Sequence, residues 1–103
     1  MRKFETLLLL SPELGSEPRE SLLNTLVGVI EREGGKMVTT DHWGMRDLAY
    51  PVNKVMRGYY VRLEYTGPAP LVAELERNIR SSDGIFKFMT VKLADNVAEE
   101  EVA

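Results

Sequence analysis

No cysteine occurs anywhere in the 103-residue sequence, and histidine occurs once, at His42. The first absence excludes a disulfide scaffold, a thiolate metal site and a cysteine nucleophile, and it suits a reducing compartment. The second leaves acid–base and metal chemistry short of partners. No Ser, Asp or Glu around His42 repeats a spacing that would build a triad or a ligand set, so His42 beside Trp43 reads as a surface or half-buried side chain. Long apolar runs are also missing, the longest being Leu7 to Leu10. That is too short for a membrane span or the apolar region of a secretory signal, so a cytoplasmic protein starting at Met1 is expected.

Positive charge is in deficit too: 13 Lys and Arg face 16 Asp and Glu, a formal net charge of −3. A net-acidic total argues against a polyanion partner until the charges are placed along the chain. Residues 1–45 hold 5 basic and 7 acidic side chains (−2), residues 46–92 hold 8 and 5 (+3), and residues 93–103 hold 0 and 4 (−4). The acid is concentrated at the C-terminus, and a net-positive stretch lies before it. Charge distribution, not the total, decides whether phosphate can be bound locally.

With 44% apolar and 28% charged residues, the composition is that of an ordinary globular chain, and its length suits one domain. Phe4 to Leu10, stopped by Ser11-Pro12, predicts a strand. A helix follows, with Ser16 or Glu17 as its cap, Pro18 in its first turn, a buried stripe of Leu22, Leu23, Leu26, Val27 and Ile30, and Gly34-Gly35 as its stop. Lys36 to about Val52 predicts a long strand that changes character midway, with Gly44 as a bulge. Lys54 to Gly58 is expected to turn into a third strand, whose Tyr59, Val61, Leu63 and Tyr65 alternate with polar neighbours. Pro68 then opens a second helix with the stripe Leu71, Val72, Leu75 and Ile79, and the last strand runs Ile85 to Leu93. Both alternating sets of that strand are partly apolar, so its inward face is open.

Strand, helix, strand, strand, helix, strand is the α+β, ferredoxin-like βαββαβ arrangement. Right-handed crossovers give a four-stranded antiparallel sheet in the order 4-1-3-2 with two helices on one face, and leave the other face bare. Residues 1–93 are expected to form this domain and 94–103 a short acidic tail.

Three classes of function can be weighed against this layout. Catalysis lacks its parts: no glycine-rich phosphate loop is present, and the first loop, Leu10 to Gly15, carries Glu13 where an acyl-phosphate hydrolase of this fold needs an arginine cradle. RNA binding is favoured by Arg46, Lys54 and Arg57 around the central hairpin, by Arg2 and Lys3 at the first strand and by Lys87 and Lys92 on the last, with Tyr50 and Tyr59 among them. A solvated charged surface with core tyrosines is the plainer reading of the same residues. Arg57-Gly58-Tyr59 matches the start of the RNA-recognition-motif signature, but Tyr60, Val61, Arg62 and Glu64 depart from it, so base stacking in that style is not supported. Partner binding through the second-strand edge is the third class. There Asp41, Arg46 and Asp47 either guard against uncontrolled pairing or select a partner, with Met45, Leu48 and Tyr50 supplying apolar contact.

One stretch is specific enough to name a family. Trp43-Gly44-Met45-Arg46-Asp47-Leu48-Ala49-Tyr50-Pro51-Val52-Asn53-Lys54, followed by Gly58-Tyr59-Tyr60, resembles the bacterial small-subunit ribosomal protein S-six family, as do Met1 to Glu5 and Phe88 to Lys92. The resemblance covers roughly residues 1 to 93. It implies a structural protein of the small ribosomal subunit, in the cytoplasm, that binds the central domain of 16S ribosomal RNA together with ribosomal protein S-eighteen. It implies no catalysis, no cofactor, no metal, no membrane and no small-molecule substrate. Carried over by position, Arg2, Lys3, Arg46, Lys54, Lys87 and Lys92 are the expected RNA contacts, and Asp41, Met45, Arg46, Leu48 and Tyr50 the expected partner-protein interface. Asp47 stands where a basic or polar residue is more typical of the family, and Thr90 replaces an aliphatic one, a change expected to affect packing alone. Glu99-Glu100-Glu101 before Val102-Ala103 matches poorly the longer glutamate tails that are enzymatically extended in some members, so that modification is not expected. The alternative reading is a ligand-sensing or homodimerising module of the same fold.

Overall fold

The protein is described by a computed structural model over residues 1–95. Its elements are β1 (Arg2–Leu10), α1 (Ser16–Arg32), β2 (Lys36–Val52), β3 (Val55–Gly67), α2 (Pro70–Arg80) and β4 (Ile85–Ala94). The sheet is antiparallel in the order β2-β3-β1-β4, the expected 4-1-3-2 order seen from the other edge. β4 runs through Ala94, one residue past the expected domain end at 93, and most of the expected acidic tail lies outside the described residues. No helix among the described residues is long and apolar enough to cross a membrane.

Period-two alternation in the two central strands sorts the sheet into two faces. Phe4, Leu8 and Leu10 of β1 and Val61, Leu63 and Tyr65 of β3 form one buried cluster with Leu23, Leu26, Val29 and Ile30 of α1 and Leu71, Leu75 and Ile79 of α2. Both helices therefore cover the same face. The Tyr65 ring lies 5.7 Å from Phe4, and its hydroxyl bonds Thr6 Oγ1 at 2.8 Å. Thr6 Oγ1 in turn lies 2.9 Å from Thr90 Oγ1. Thr90 therefore does more than fill space: its hydroxyl extends the polar chain that satisfies a buried tyrosine. Burial pushes the Tyr65 phenol upward, so it stays neutral and able to donate.

Several local expectations are corrected. Gly15, not Ser16 or Glu17, occupies the N-cap of α1 and makes no side-chain cap bond. Val29 joins the buried stripe, while Leu22 and Val27 are half-buried on its flanks. α2 takes Pro70 in its first turn in place of Pro68, whose carbonyl instead accepts from Leu71 N–H. The β2–β3 turn is tighter than Lys54 to Gly58. Val52 pairs with Val55, and Asn53 and Lys54 form a two-residue loop with φ of 49° and 65°. Such left-handed pairs match the twist of the flanking strands, and Asn tolerates them better than most residues.

Phe88 of β4 packs against the core and Thr90 bonds Thr6, which places Lys87, Met89 and Val91 on the helix-free face. That face is not bare. Leu9 points into it yet is only 3% exposed, because Leu48, Tyr50, Val52 and Tyr60 close around it. Gly58 permits this approach, since a Cβ there would sit 2.2 Å from Leu9 Cδ1 and 3.3 Å from the Leu10 carbonyl oxygen.

Gly35 serves a similar purpose where β2 leaves α1. A Cβ on it would lie 2.4 Å from Leu71 Cδ1 and 2.7 Å from the Thr66 carbonyl oxygen, so Gly35→Ala is expected to destabilise by about 1–3 kcal/mol through overpacking. Gly28, mid-helix with nothing within 4 Å of its Cβ position, is the opposite case, and Gly28→Ala should stabilise by about 0.5–1 kcal/mol. Urea denaturation of the two variants checks the opposite signs.

Candidate RNA and protein interface

β2 leaves its regular ladder three times on the way to the hairpin tip, first between Met37 and Thr39 and then twice nearer the tip. Gly44 takes φ of +86° where the register shifts between His42 and Gly44, so Trp43 is the extra residue of a bulge. Between the pairs Asp47↔Arg57 and Val52↔Val55, four residues of β2 face one of β3. Those four are Leu48, Ala49, Tyr50 and Pro51. Pro51 has no N–H for the ladder, and the surplus length lets the hairpin end curl over the helix-free face.

The expected RNA-contact residues fall into two groups at opposite ends of the sheet. Arg46, Lys54 and Lys87 lie towards the hairpin end, where Leu9 pairs with Lys87. Arg2, Lys3 and Lys92 lie at the start of β1, where Phe4 pairs with Lys92. The length of β1, roughly 25–30 Å at about 3.3 Å per residue, separates them. Their surroundings differ too. Lys3 pairs with Glu64 at 3.0 Å and Lys92 with Asp95 at 2.6 Å. Arg46 is exposed, its Nε donating to the Trp43 carbonyl at 3.2 Å, and Lys54 is exposed in the turn. Arg57 of the same hairpin is engaged with Asp47 at 3.1 Å.

The expected protein-interface residues are likewise divided. Met45 and Leu48 are half-buried, and Asp41 accepts from Arg62 Nη1 at 2.9 Å. Tyr50 stands apart from them: its hydroxyl accepts from Lys87 Nζ at 2.8 Å, with that nitrogen 5.3 Å from the ring centroid. Two residues assigned to different partners thus meet in one place. Lys87 holds the Tyr50 phenol below its ordinary value, and the Lys87 ammonium is stabilised in return.

Sequence reasoning missed the centre of the helix-free face. Trp43 is 46% exposed, Met89 59% and Val91 40%, and together with Leu7 and Tyr60 they line a trough leading from the Tyr50–Lys87 pair towards Glu5 and Arg62. The signal was the alternation Met89, Val91, Leu93, which became readable once Phe88 and Thr90 were committed to the helices. Arg62 was also missed. Its guanidinium bonds Glu5 at 2.6 Å, Asp41 at 2.9 Å and Glu64, tying β1, β2 and β3 together. Three carboxylates against Arg62 and Lys3 leave this end of the trough with an excess of negative charge.

Residues 3–92 match the family described as Ribosomal protein S6. The chain belongs to the ribosomal protein S6 family. It is 77% identical over 103 residues, the full length of both chains, to small ribosomal subunit protein bS6 of Nitratidesulfovibrio vulgaris. It is 74% identical over 100 residues to the bS6 of Desulfovibrio desulfuricans, covering 97% of this chain and 98% of that one. Crystalline 30S ribosomal protein S6 of Thermotoga maritima superposes with a TM-score of 0.84 at 27% identity, over 88% of this chain and 86% of that one. The ferredoxin-like fold is thus shared with a ribosomal protein S6 of known structure, and the family is a structural component of the small subunit, not a family of enzymes.

The Arg62 clamp has a measurable signature. Its hydrogen bond, more than that of Lys3, holds the Glu64 carboxyl below its ordinary 4.5. A depressed folded-state pKa contributes stability that is present above the unfolded value and is lost as pH falls through the folded one. Arg62→Met should therefore cost about 1–2 kcal/mol near neutral pH for a partly exposed network. The deficit should shrink as pH drops from 4.5 through the lowered Glu64 value, which urea titrations at pH 7 and at acid pH compare.

Proposed function

We propose that this small-subunit ribosomal protein binds the central domain of 16S ribosomal RNA together with ribosomal protein S-eighteen, and that the two bindings help fix a folded RNA junction during assembly. The observation that carries the reading is the hairpin: Leu48 to Pro51, the most specific piece of the family resemblance, leaves the ladder, and its flanking Arg46 and Lys54 are exposed to solvent. Cations at that end neutralise phosphate, which positions the protein without reading sequence. Arg2, Lys3 and Lys92 form a second, weaker contact at the far end, because Lys3 and Lys92 must exchange carboxylate partners for phosphate.

Protein binding uses the adjoining stretch of the same sheet face. Exposed apolar side chains gathered on one face mark an interaction site more reliably than isolated ones, and here Trp43, Met89 and Val91 are gathered on the helix-free face. Asp41, Met45 and Leu48 continue this surface along β2 to its edge. The negative excess around Arg62 suits a basic protein. Residues 1–93 are the binding unit in this reading. A homodimer could use the same apolar strip, in which case the isolated chain would sediment as a dimer with no affinity for ribosomal RNA.

Arg46→Ala combined with Lys54→Ala should weaken binding of central-domain RNA and lower the slope of log affinity against log salt by roughly one to two. An unchanged slope would contradict the phosphate assignment. Met89→Ala, which adds no charge beside Lys87, should instead weaken binding of ribosomal protein S-eighteen by about tenfold while leaving the RNA salt slope intact. Co-sedimentation with small subunits, followed by filter binding over a salt series, measures both.

A further inference from the structure

We propose that Tyr50 and Lys87 together form a site for one unpaired RNA nucleotide, with the base stacking on the Tyr50 ring and its phosphate meeting the Lys87 ammonium. This rests on the RNA-binding reading above and names the kind of RNA element that its hairpin end accepts. Tyr50 is 57% exposed, carried outward where four residues of β2 face one of β3. More than half of this side chain is left to solvent even though it packs beside Leu9.

The cation beside it comes from a different strand. Lys87 projects from β4, with Nζ 2.8 Å from the Tyr50 hydroxyl and 5.3 Å from the ring centroid. Among the described residues Lys87 has no carboxylate partner, whereas Lys3, Lys92 and Arg57 each have one. Its bond to a neutral phenol can be exchanged for one to phosphate without stranding an acid. Below the pair lies an apolar floor of Leu9, Leu48, Ala49, Val52 and Tyr60.

Stacking needs the face of a base, and a base within a duplex does not offer one. The site therefore selects a bulged or looped nucleotide over paired RNA. It takes one nucleotide, not a run, because the trough leading away from it is lined by Leu7, Leu9, Tyr60, Phe88 and Met89 and offers no second cation. This differs from RNA-recognition-motif stacking, which uses aromatics on the central strands of the sheet.

The test uses the full chain at low salt and two short RNA hairpins, one with a single bulged 2-aminopurine and one fully paired. The bulged RNA should bind about tenfold more tightly, with a change in 2-aminopurine fluorescence, since a base stacked on an aromatic ring is worth on the order of that factor. Tyr50→Leu should abolish the preference, Tyr50→Phe should retain it, and Lys87→Ala should weaken binding and lower the salt slope by about one. Circular dichroism confirms that each variant is folded. Equal affinity for the two hairpins, or an unchanged preference in Tyr50→Leu, overturns the inference. Central-domain RNA titrated in parallel separates the two claims. If that RNA binds and no bulge preference exists, this inference alone fails; if it does not bind while the bulge preference holds, the assignment to the central domain fails and the nucleotide site stands.

Discussion

The pairing of β1 with β3 is the contact on which the remaining structure depends. Its register sets Phe4 against Tyr65, Thr6 against Leu63 and Leu8 against Val61, so one face of the two central strands is almost continuously apolar and demands both helices. The same register sets Glu5 directly opposite Glu64 on the other face. Like charges so placed oppose strand pairing. Arg62 resolves the conflict by bonding both carboxylates, and Lys3 adds a second cation to Glu64. A one-residue slip of β1 against β3 would turn Glu5 towards the core and Phe4 and Leu8 away from it, and would take Glu5 from Arg62, so hydrophobic and ionic terms select the same alignment.

From that alignment follow the properties of the helix-free face. Once the core residues point at the helices, Leu7, Leu9, Tyr60, Met89 and Val91 have nowhere else to go. The hairpin covers only the Leu9 end, and the Glu5–Asp41–Glu64–Arg62 network closes the other. What is left is a trough with a cation and an aromatic ring at one end, an apolar middle and an acidic far end. One surface can thus meet two chemically different partners without one obstructing the other. Folding and binding share residues here: Gly58 and Leu9 hold the hairpin down, and the hairpin carries the exposed Arg46, Lys54 and Tyr50.

Most of the architecture was legible in the sequence because the central strands and the helices have clear periods. The order of elements, the face bearing the helices and the bulge at Gly44 all follow from alternation, helical stripes and glycine placement. The errors lie where period gives no information. Asn53 and Lys54 turn because their backbones accept positive φ, a property that the neighbouring Gly58 obscures in any reading that looks for glycine first. Pro68 and Pro70 are equivalent by pattern, and only the folded backbone, with Ala69 at the N-cap and Pro70 in the first turn, shows which one lies inside the helix. β4 has apolar residues on both sides, so its exposed strip emerged only after Thr90 was seen to bond Thr6. For the site, the motif located the hairpin but not its contacts. Tyr50 and Lys87 are 37 positions apart and meet through tertiary structure alone.

The central claim is that the hairpin and the helix-free face of the sheet, not the helices, are the working surface. Hydroxyl-radical footprinting read by mass spectrometry, comparing the free chain with the chain inside small ribosomal subunits, tests it most directly, because Trp43, Tyr50 and Met89 are exposed and oxidise readily in the free state. The account predicts strong protection of those three residues on incorporation, with the outward residues of α1 and α2 little changed. Protection of the helical face, with Trp43 and Met89 as reactive as in the free chain, would contradict it.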